Sequence, residues 1–371
     1  MRVGIITLDG HYNYGNRLQN YALGETLNRL SGTSKTIWHE EWKYLEDIYL
    51  KFDFKSIIRY ILNYRKFRSL SAVHYNERAN EIIRQYRIAK FSNLNIDIQY
   101  KLTINENLNN SFDYFVVGSD QVWNPYFIAN IETFKKTYFL RFAEEQKRMA
   151  YAASFGISEL PAKYYKLFKE GLEGIPYISV REQAGAEIVK QLTGRDVPVL
   201  VDPTLLIEAE HWCTLEMQPK WYHGEKFILT YFLGDVPPML DKLAREYNYK
   251  IFNLMDKNNF ELYVSRVEEF LYLIDHAELV CTDSFHACVF SILFNTPFLV
   301  VNRQQQGVAD MTSRLDTLLG LFNMKDRYIN FNTDALDKDR IFTVDYIHVK
   351  DIQQREQKRS YEFLKQAMNI K

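Results

Sequence analysis

Short apolar runs alternate with stretches in which apolar residues recur every three or four positions, and the alternation continues along most of the chain. The runs predict buried strands, and the three-to-four spacing predicts helices packed on them. In the first half the strand-like runs are Val3–Leu8, Lys35–Trp38, Tyr114–Gly118, Met149–Phe155, Tyr177–Val180 and Val197–Val201, with helical patterns at Arg17–Leu30, Ala162–Leu172 and Gln183–Leu192. In the second half the runs Phe227–Phe232, Lys250–Leu254, Leu279–Thr282 and Phe298–Val301 alternate with Pro238–Tyr247, Val264–His276, Ala287–Phe294 and Met311–Phe322. A last helical pattern covers Lys350–Ala367. Strand and helix in repeated succession predict parallel sheets with crossover helices.

Between the two sets lies Leu205–Lys226, a mixed stretch of weak periodicity that marks a boundary. At 371 residues the chain exceeds one ordinary core. The expected fold is α/β, with two doubly wound domains facing a cleft. The first covers 1–208, the second 209–345, and 346–371 is a terminal helix packing back on the first domain. Open parallel sheets bind ligands at the strand C-terminal edge, so loops that follow strands should build the site. The segment Trp42–Lys90 breaks the alternation and predicts a helical insertion over about 42–105. From Glu41 to Lys90 it carries eleven Lys or Arg against six Asp or Glu. Two readings stand: a helical hairpin with solvated charges, or a peripheral contact with an anionic membrane surface.

Composition narrows the class. Apolar residues at 47% and charged residues at 25% fit a soluble globular protein. A net charge of −1 gives no field that would favour nucleic acid. There is no apolar run long enough for a membrane span, and Met1 leads into Val3–Leu8 without a signal-peptide pattern. Three cysteines, Cys213, Cys281 and Cys288, fit a reducing compartment. The expected location is the cytoplasm, including the inner face of the cell membrane.

Candidate chemistry gathers at three strand ends. In Leu279–His286 an apolar strand stops at Thr282 and an apolar helix begins near His286. Asp283 and Ser284 then fall near the N-cap, and the free N–H groups of the first turn make an anion site. His286 in that turn suits proton transfer. The plainer alternative has Asp283 and Ser284 capping a core helix, with His286 satisfied by a backbone carbonyl. A Ser-His-Asp triad cannot form from three groups within four residues. Cys281, His286 and Cys288 lack metal-ligand spacing, so no metal is expected.

The second strand end, His11–Asn20, offers Asn13, Asn16, Arg17 and Gln19 as hydrogen-bonding groups for a hydroxylated acceptor, or as a polar loop capping a helix. It has neither the dinucleotide spacing nor a P-loop. The third, Val116–Asn124, offers Asp120 and Gln121 to sugar hydroxyls and Trp123 as an apolar face; Trp123 plugging a gap beside the sheet is the alternative. Arg181, Arg303 and Arg314 follow other strands and could hold phosphate or carboxylate bidentately.

Taken in order, these segments resemble the polysaccharide pyruvyl transferase family. The matching pieces are Tyr14–Ala22, Val117–Asn124, Ala152–Gly156, Ile178–Glu182, Val201–Leu206, Thr282–His286, Asn295–Phe298 and Thr312–Leu315. The resemblance spans about residues 1–325 and implies a GT-B-like pair of Rossmann-like domains. It implies transfer of the enolpyruvyl unit of phosphoenolpyruvate to a sugar of a surface or capsular polysaccharide precursor, free or lipid-linked, giving a pyruvate ketal and phosphate. Phosphoenolpyruvate would be a co-substrate, with no further cofactor. Ser284, Phe285, Arg181, Arg303 and Arg314 would bind it. His286, in the family's histidine position, would be the acid, and Asp120 would accept the attacking hydroxyl's proton, with Glu182 in reserve. Better-known members carry Arg-Leu-His where this chain has Ser284-Phe285-His286, so a central cation is missing, and Ala287 stands where related sequences often carry Gly. A nucleotide-sugar glycosyltransferase and a non-catalytic carbohydrate-binding scaffold are the rival readings.

Overall fold

The computed structural model describes residues 1–38, 72–99, 104, 106–301, 312–331 and 338–370. Eleven strands form two sheets among them. The first holds β1 (Arg2–Ile6), β2 (Thr33–Ile37), β3 (Ile98–Gln99), β4 (Tyr114–Val117), β5 (Arg148–Ala153) and β6 (Tyr177–Val180), ordered β3-β2-β1-β4-β5-β6. The second holds β7 (Phe227–Tyr231), β8 (Lys250–Asn253), β9 (Leu279–Thr282), β10 (Phe298–Val301) and β11 (Tyr328–Ile329), ordered β11-β10-β9-β7-β8. Every pairing is parallel. The expected two-domain α/β architecture is therefore present.

The first order is that of a dinucleotide-binding sheet and the second that of a flavodoxin-like sheet. Each reverses direction once, between β1 and β4 and between β7 and β9. At such switch points neighbouring loops diverge and leave a crevice.

Ten helices of eight or more residues are described: α1 (Tyr14–Ser31), α2 (Ala72–Asn95), α3 (Ile131–Tyr138), α4 (Tyr165–Glu173), α5 (Gln183–Thr193), α6 (Met239–Tyr247), α7 (Val267–Asp275), α8 (Phe285–Phe294), α9 (Thr312–Leu321) and α10 (Val349–Ala367). Nine of the ten residues of α8 are buried, as a helix apolar on all sides requires. It ends on Asn295 in the left-handed region, a conformation Asn tolerates. The expected strand Val197–Val201 is reduced to one bridge, Val180 to Val199. Pro198 lacks an N–H to donate, which breaks the ladder there.

One apolar cluster spans both sheets, and each sheet has a further cluster of its own. Tyr14 of α1 stacks on Phe270 of α7 with centroids 4.6 Å apart, and Trp212 meets Phe290 of α8 edge-on at 5.0 Å. Helix α10 returns across the boundary: Gln353 donates to the carbonyls of Leu205 and Ile207, each at 3.1 Å.

Much of the expected insertion, 42–71, lies outside the described residues, and so does most of the segment on which the membrane reading falls. In its described part, α2, two of the cations are turned to carbonyls of the protein. Arg84 donates to the carbonyls of Leu254, at 3.1 Å, and Tyr263, and Arg87 donates to the Val264 carbonyl at 2.9 Å. These cations bind the second domain, because carbonyls that no strand or helix satisfies need donors. No helix among the described residues is long and apolar enough to cross a membrane.

Candidate functional site

The site is built at the two switch points. On the second sheet, Thr282 ends β9; its hydroxyl donates to the Tyr231 carbonyl at 2.5 Å and accepts the Ser284 N–H at 3.0 Å. Asp283 does not cap α8. Its carboxylate accepts the Leu233 and Gly234 N–H groups at 2.8 and 3.0 Å, which ties the loop after β7 to the end of β9. Ser284 is the N-cap residue, yet its side chain makes no capping bond. His286 follows in the first turn, buried, with Nε2 3.6 Å from Asp202 Oδ2. That is an ion-pair distance for a protonated imidazole and too long for a hydrogen bond.

On the first sheet, β4 runs out into Gly118 at φ 124°. A Cβ there would overlap the Tyr151 carbonyl, so only glycine fits. Asp120 follows at φ 61°, a conformation that aspartate adopts more readily than most residues. Its carboxylate accepts from Asn16 Nδ2 at 3.0 Å and from its neighbour's N–H, Gln121, at 2.9 Å. It also lies 3.5 Å from Arg181 Nη2.

Asp202 is the hub. Oδ2 accepts Arg181 Nη1 at 2.6 Å and Ser119 Oγ at 3.0 Å, and Oδ1 accepts the N–H and hydroxyl of Thr204 at 3.1 and 2.8 Å. Burial works to raise this carboxyl, but the charges of His286 and Arg181 outweigh it and hold the group far below the usual carboxylate range. Asp120 behaves alike: burial opposes ionisation, while Arg181, His286, the Asn16 bond and Arg314 keep its pKa low. Burial likewise opposes the Arg181 charge, and Asp202, Asp120 and Glu182 restore it. Two acids, an arginine and a histidine thus form one buried charge network spanning both domains. Gly15 closes the interface. A Cβ there would overlap the His286 ring atoms and lie 2.5 Å from the His286 Cβ.

The expected residues divide sharply. His286, Asp120, Arg181 and Asn16 come together, with Phe285 lending its ring face to the Arg181 guanidinium at 4.4 Å. Arg314 is buried and close enough to lower the Asp120 pKa. Arg303 lies outside the described residues. Arg181 is committed to Asp202 and Asp120, so it cannot simply replace a missing cation.

Four acceptor candidates are engaged in contacts within the protein. Trp123 is fully buried against Phe155 and Phe139, and its Nε1 donates to the Tyr138 carbonyl at 3.0 Å. It offers no face to a sugar. Gln19, also fully buried, holds the turn after β4 through Ser119 N–H at 3.2 Å and Thr7 Oγ1 at 2.9 Å. Arg17 is fully buried, bonded to Asn16 and the Leu8 carbonyl, with its guanidinium 5.3 Å from the Trp38 centroid. His11 stacks on the same indole, and burial, then Arg17, lowers its pKa to about 3. Asn13 caps α1, accepting from Gly15 and Asn16 N–H.

Gln121 is partly buried; its Oε1 accepts from Asn124 at 2.8 Å. Glu182, the reserve base, is fully buried and braces the loop after β5 through Ser154, Phe155 and Gly156.

Trp123→Ala should lower stability by about 3–5 kcal/mol, the usual cost of emptying an aromatic site. Urea unfolding followed by fluorescence would read it.

Asp202 was the residue the sequence reading left without a role. Its signal was present: Asp202 follows the apolar run Val197–Val201, as Asp120 follows β4. Among the described residues, Cys213, Glu216 and Asp275 lie close enough to share an ion. Cys213 ends the helix 209–213, Glu216 lies three residues beyond it and Asp275 ends α7, so none is on a loop that follows a strand.

A family model for polysaccharide pyruvyl transferase matches residues 13–305. No curated protein matches the chain. Among solved structures, it is similar to a UDP-N-acetylglucosamine 2-epimerase from Rickettsia bellii, at TM-score 0.47 and 10% identity, covering 100% of this chain and 97% of that one. Likeness to the UDP-GlcNAc 2-epimerase from Neisseria meningitidis has TM-score 0.45 and 9% identity, covering 100% and 95%. For an E. coli heptosyltransferase the values are 0.38 and 11%, covering 96% and 100%. At such scores these likenesses say nothing of this chain's chemistry, and the fold rests on its own two sheets. The family match runs from the cap of α1 to just beyond β10 and takes in Asn16, Asp120, Arg181, Asp202 and His286; the chain belongs to the polysaccharide pyruvyl transferase family.

Proposed function

We propose that the chain transfers the enolpyruvyl unit of phosphoenolpyruvate to a sugar of a surface-polysaccharide precursor, forming a cyclic pyruvate ketal. The observation that carries this reading is the buried His286–Asp202–Arg181 network beside Asp120, at facing switch points in a chain of this family. Protonation of the C3 methylene makes C2 electrophilic. One sugar hydroxyl adds at C2, the C2–O bond to phosphate breaks, and a second hydroxyl closes the ketal. Of the two hydroxyl protons, one balances the proton delivered to C3 and the other leaves with inorganic phosphate.

His286 is placed to be the acid, in the first turn of α8 with Nε2 3.6 Å from the Asp202 carboxylate. Asp120, held ionised by its neighbours, suits the role of hydroxyl acceptor and orienter better than that of a strong base. Arg314 adds positive charge near the departing phosphate.

Incubation with phosphoenolpyruvate and an oligosaccharide should release phosphate and add a pyruvate ketal to the sugar by mass. Release of nucleotide from a sugar donor instead would overturn the reading. Phosphoenolpyruvate at 100 times its dissociation constant should stabilise the protein by about 2.7 kcal/mol. A melting temperature unmoved by millimolar phosphoenolpyruvate would count against it.

A further inference from the structure

Helix α2 is the described part of a basic segment that the transfer chemistry leaves unused. Arg84 on it is buried inside the protein rather than solvated. Its guanidinium donates to the Leu254 and Tyr263 carbonyls and lies 4.5 Å from the Tyr14 ring centroid and 5.1 Å from that of Tyr263. The contact continues on both sides. Tyr263 donates to Glu81 of α2 at 2.5 Å, and Tyr14 donates to the Ser265 carbonyl at 2.9 Å. One cation therefore joins the insertion, the first helix of domain one and the 254–265 segment of domain two.

Tyr14 leads directly into the site. It is the first residue of α1, and the next two residues each touch the charge network. Gly15 packs on the His286 imidazole, and Asn16 holds Asp120 at 3.0 Å. A helix turn is stiff, so fixing the Tyr14 ring fixes the backbone at Gly15 and the amide of Asn16.

We infer that Arg84 is a positioning residue: by clamping Tyr14 against domain two it sets the first turn of α1, and through it the placement of His286 against Asp202. The geometry favours arginine specifically. A planar fork can donate to two carbonyls while its faces meet aromatic rings, whereas a lysine ammonium cannot do both. The consequence for catalysis rests on the transfer reading above; the clamp itself does not.

The test is Arg84→Met in the full chain, which keeps the stem and removes the fork. Amide exchange should rise about tenfold or more at residues 14–17 and 284–288, with strands β4 and β9 unchanged. A general loss of stability would raise exchange in the strands as well and would overturn the inference. So would wild-type exchange at both turns. Pyruvyl transfer should fall by up to about 100-fold in kcat, the scale set by misplacing a reacting group by about 1 Å. Arg84→Lys should restore little of it.

If Arg84→Met does not fold, Tyr14→Phe decides. It loses only the bond to Ser265, and unchanged exchange at 284–288 would overturn the inference. A wild type that transfers no pyruvyl group but shows the exchange effect refutes the proposed chemistry and leaves the clamp standing.

Discussion

Asp202→Asn is expected to slow pyruvyl transfer by about 10²- to 10⁴-fold, the range that positioned proton transfer supplies. The substitution keeps the shape of the side chain. An amide oxygen can still accept from Thr204, but the group facing Arg181 and His286 loses its charge. An amide nitrogen turned to that side would set donor against donor. Without the carboxylate the imidazole also loses the ion-pair partner that orients it.

Stability should drop as well, by about 3–5 kcal/mol, because Arg181 is left buried with only the longer contact to Asp120. The acid side has a definite sign. The folded pKa of Asp202 lies below its ordinary value of 3.8, so its stabilisation is complete above that pH and disappears as the pH falls below it. The variant should therefore lose less stability on acidification than the wild type. Denaturant midpoints at several pH values would check that sign, and kcat would read the loss of rate. Wild-type kcat in a folded Asp202→Asn protein would remove the carboxylate from the mechanism.

What the sequence disclosed follows from what each pattern encodes. Period and run length report which faces are buried, so all the longer strands were legible, as were most helices, and Val197–Val201 was read as one strand too many. They do not report sheet order, since β9 and β10 follow β7 in the chain, while the pairing of β7 with β9 depends on the whole domain. The site therefore appeared as three unconnected strand ends. Asn16 and Asp120 were legible because polar residues at a strand end invite a functional reading. Asp202 had that signal too, but its importance arises only when Arg181 and His286 converge on it from two different domains.

Trp123 shows the opposite error. An aromatic residue after a strand suits a sugar site or a core equally, and only the Tyr138 carbonyl and the rings of Phe139 and Phe155 decide for the core. Asp283 was read as a cap from local sequence; the loop after β7, fifty residues earlier, claims its carboxylate. Arg84 was invisible as an individual, being one basic residue among eleven in its stretch. In each case the missing information was a long-range contact, which no local pattern contains.

His286→Gln should reduce kcat by a comparable 10²- to 10⁴-fold, and its combination with Asp202→Asn should cost little more than either change alone. The reasoning is that the two groups act as one unit. Once the imidazole is absent, the carboxylate has no proton donor to hold, and once the carboxylate is neutral, the imidazole loses the ion pair that orients it. Independent roles would instead multiply the losses, and a multiplied loss would show that Asp202 acts on Arg181 alone.

Glutamine is the informative replacement because it retains a hydrogen-bonding amide but cannot deliver a proton. Binding of phosphoenolpyruvate, read by thermal shift, should survive in His286→Gln if the missing contribution is proton transfer. Loss of binding along with activity would make His286 a donor-holding group and leave the acid to be found elsewhere. The pH profile separates the cases further: with an imidazolium acid the wild-type rate falls as pH rises, and this limb should vanish in the variant. Persistence of the limb in His286→Gln would overturn the assignment.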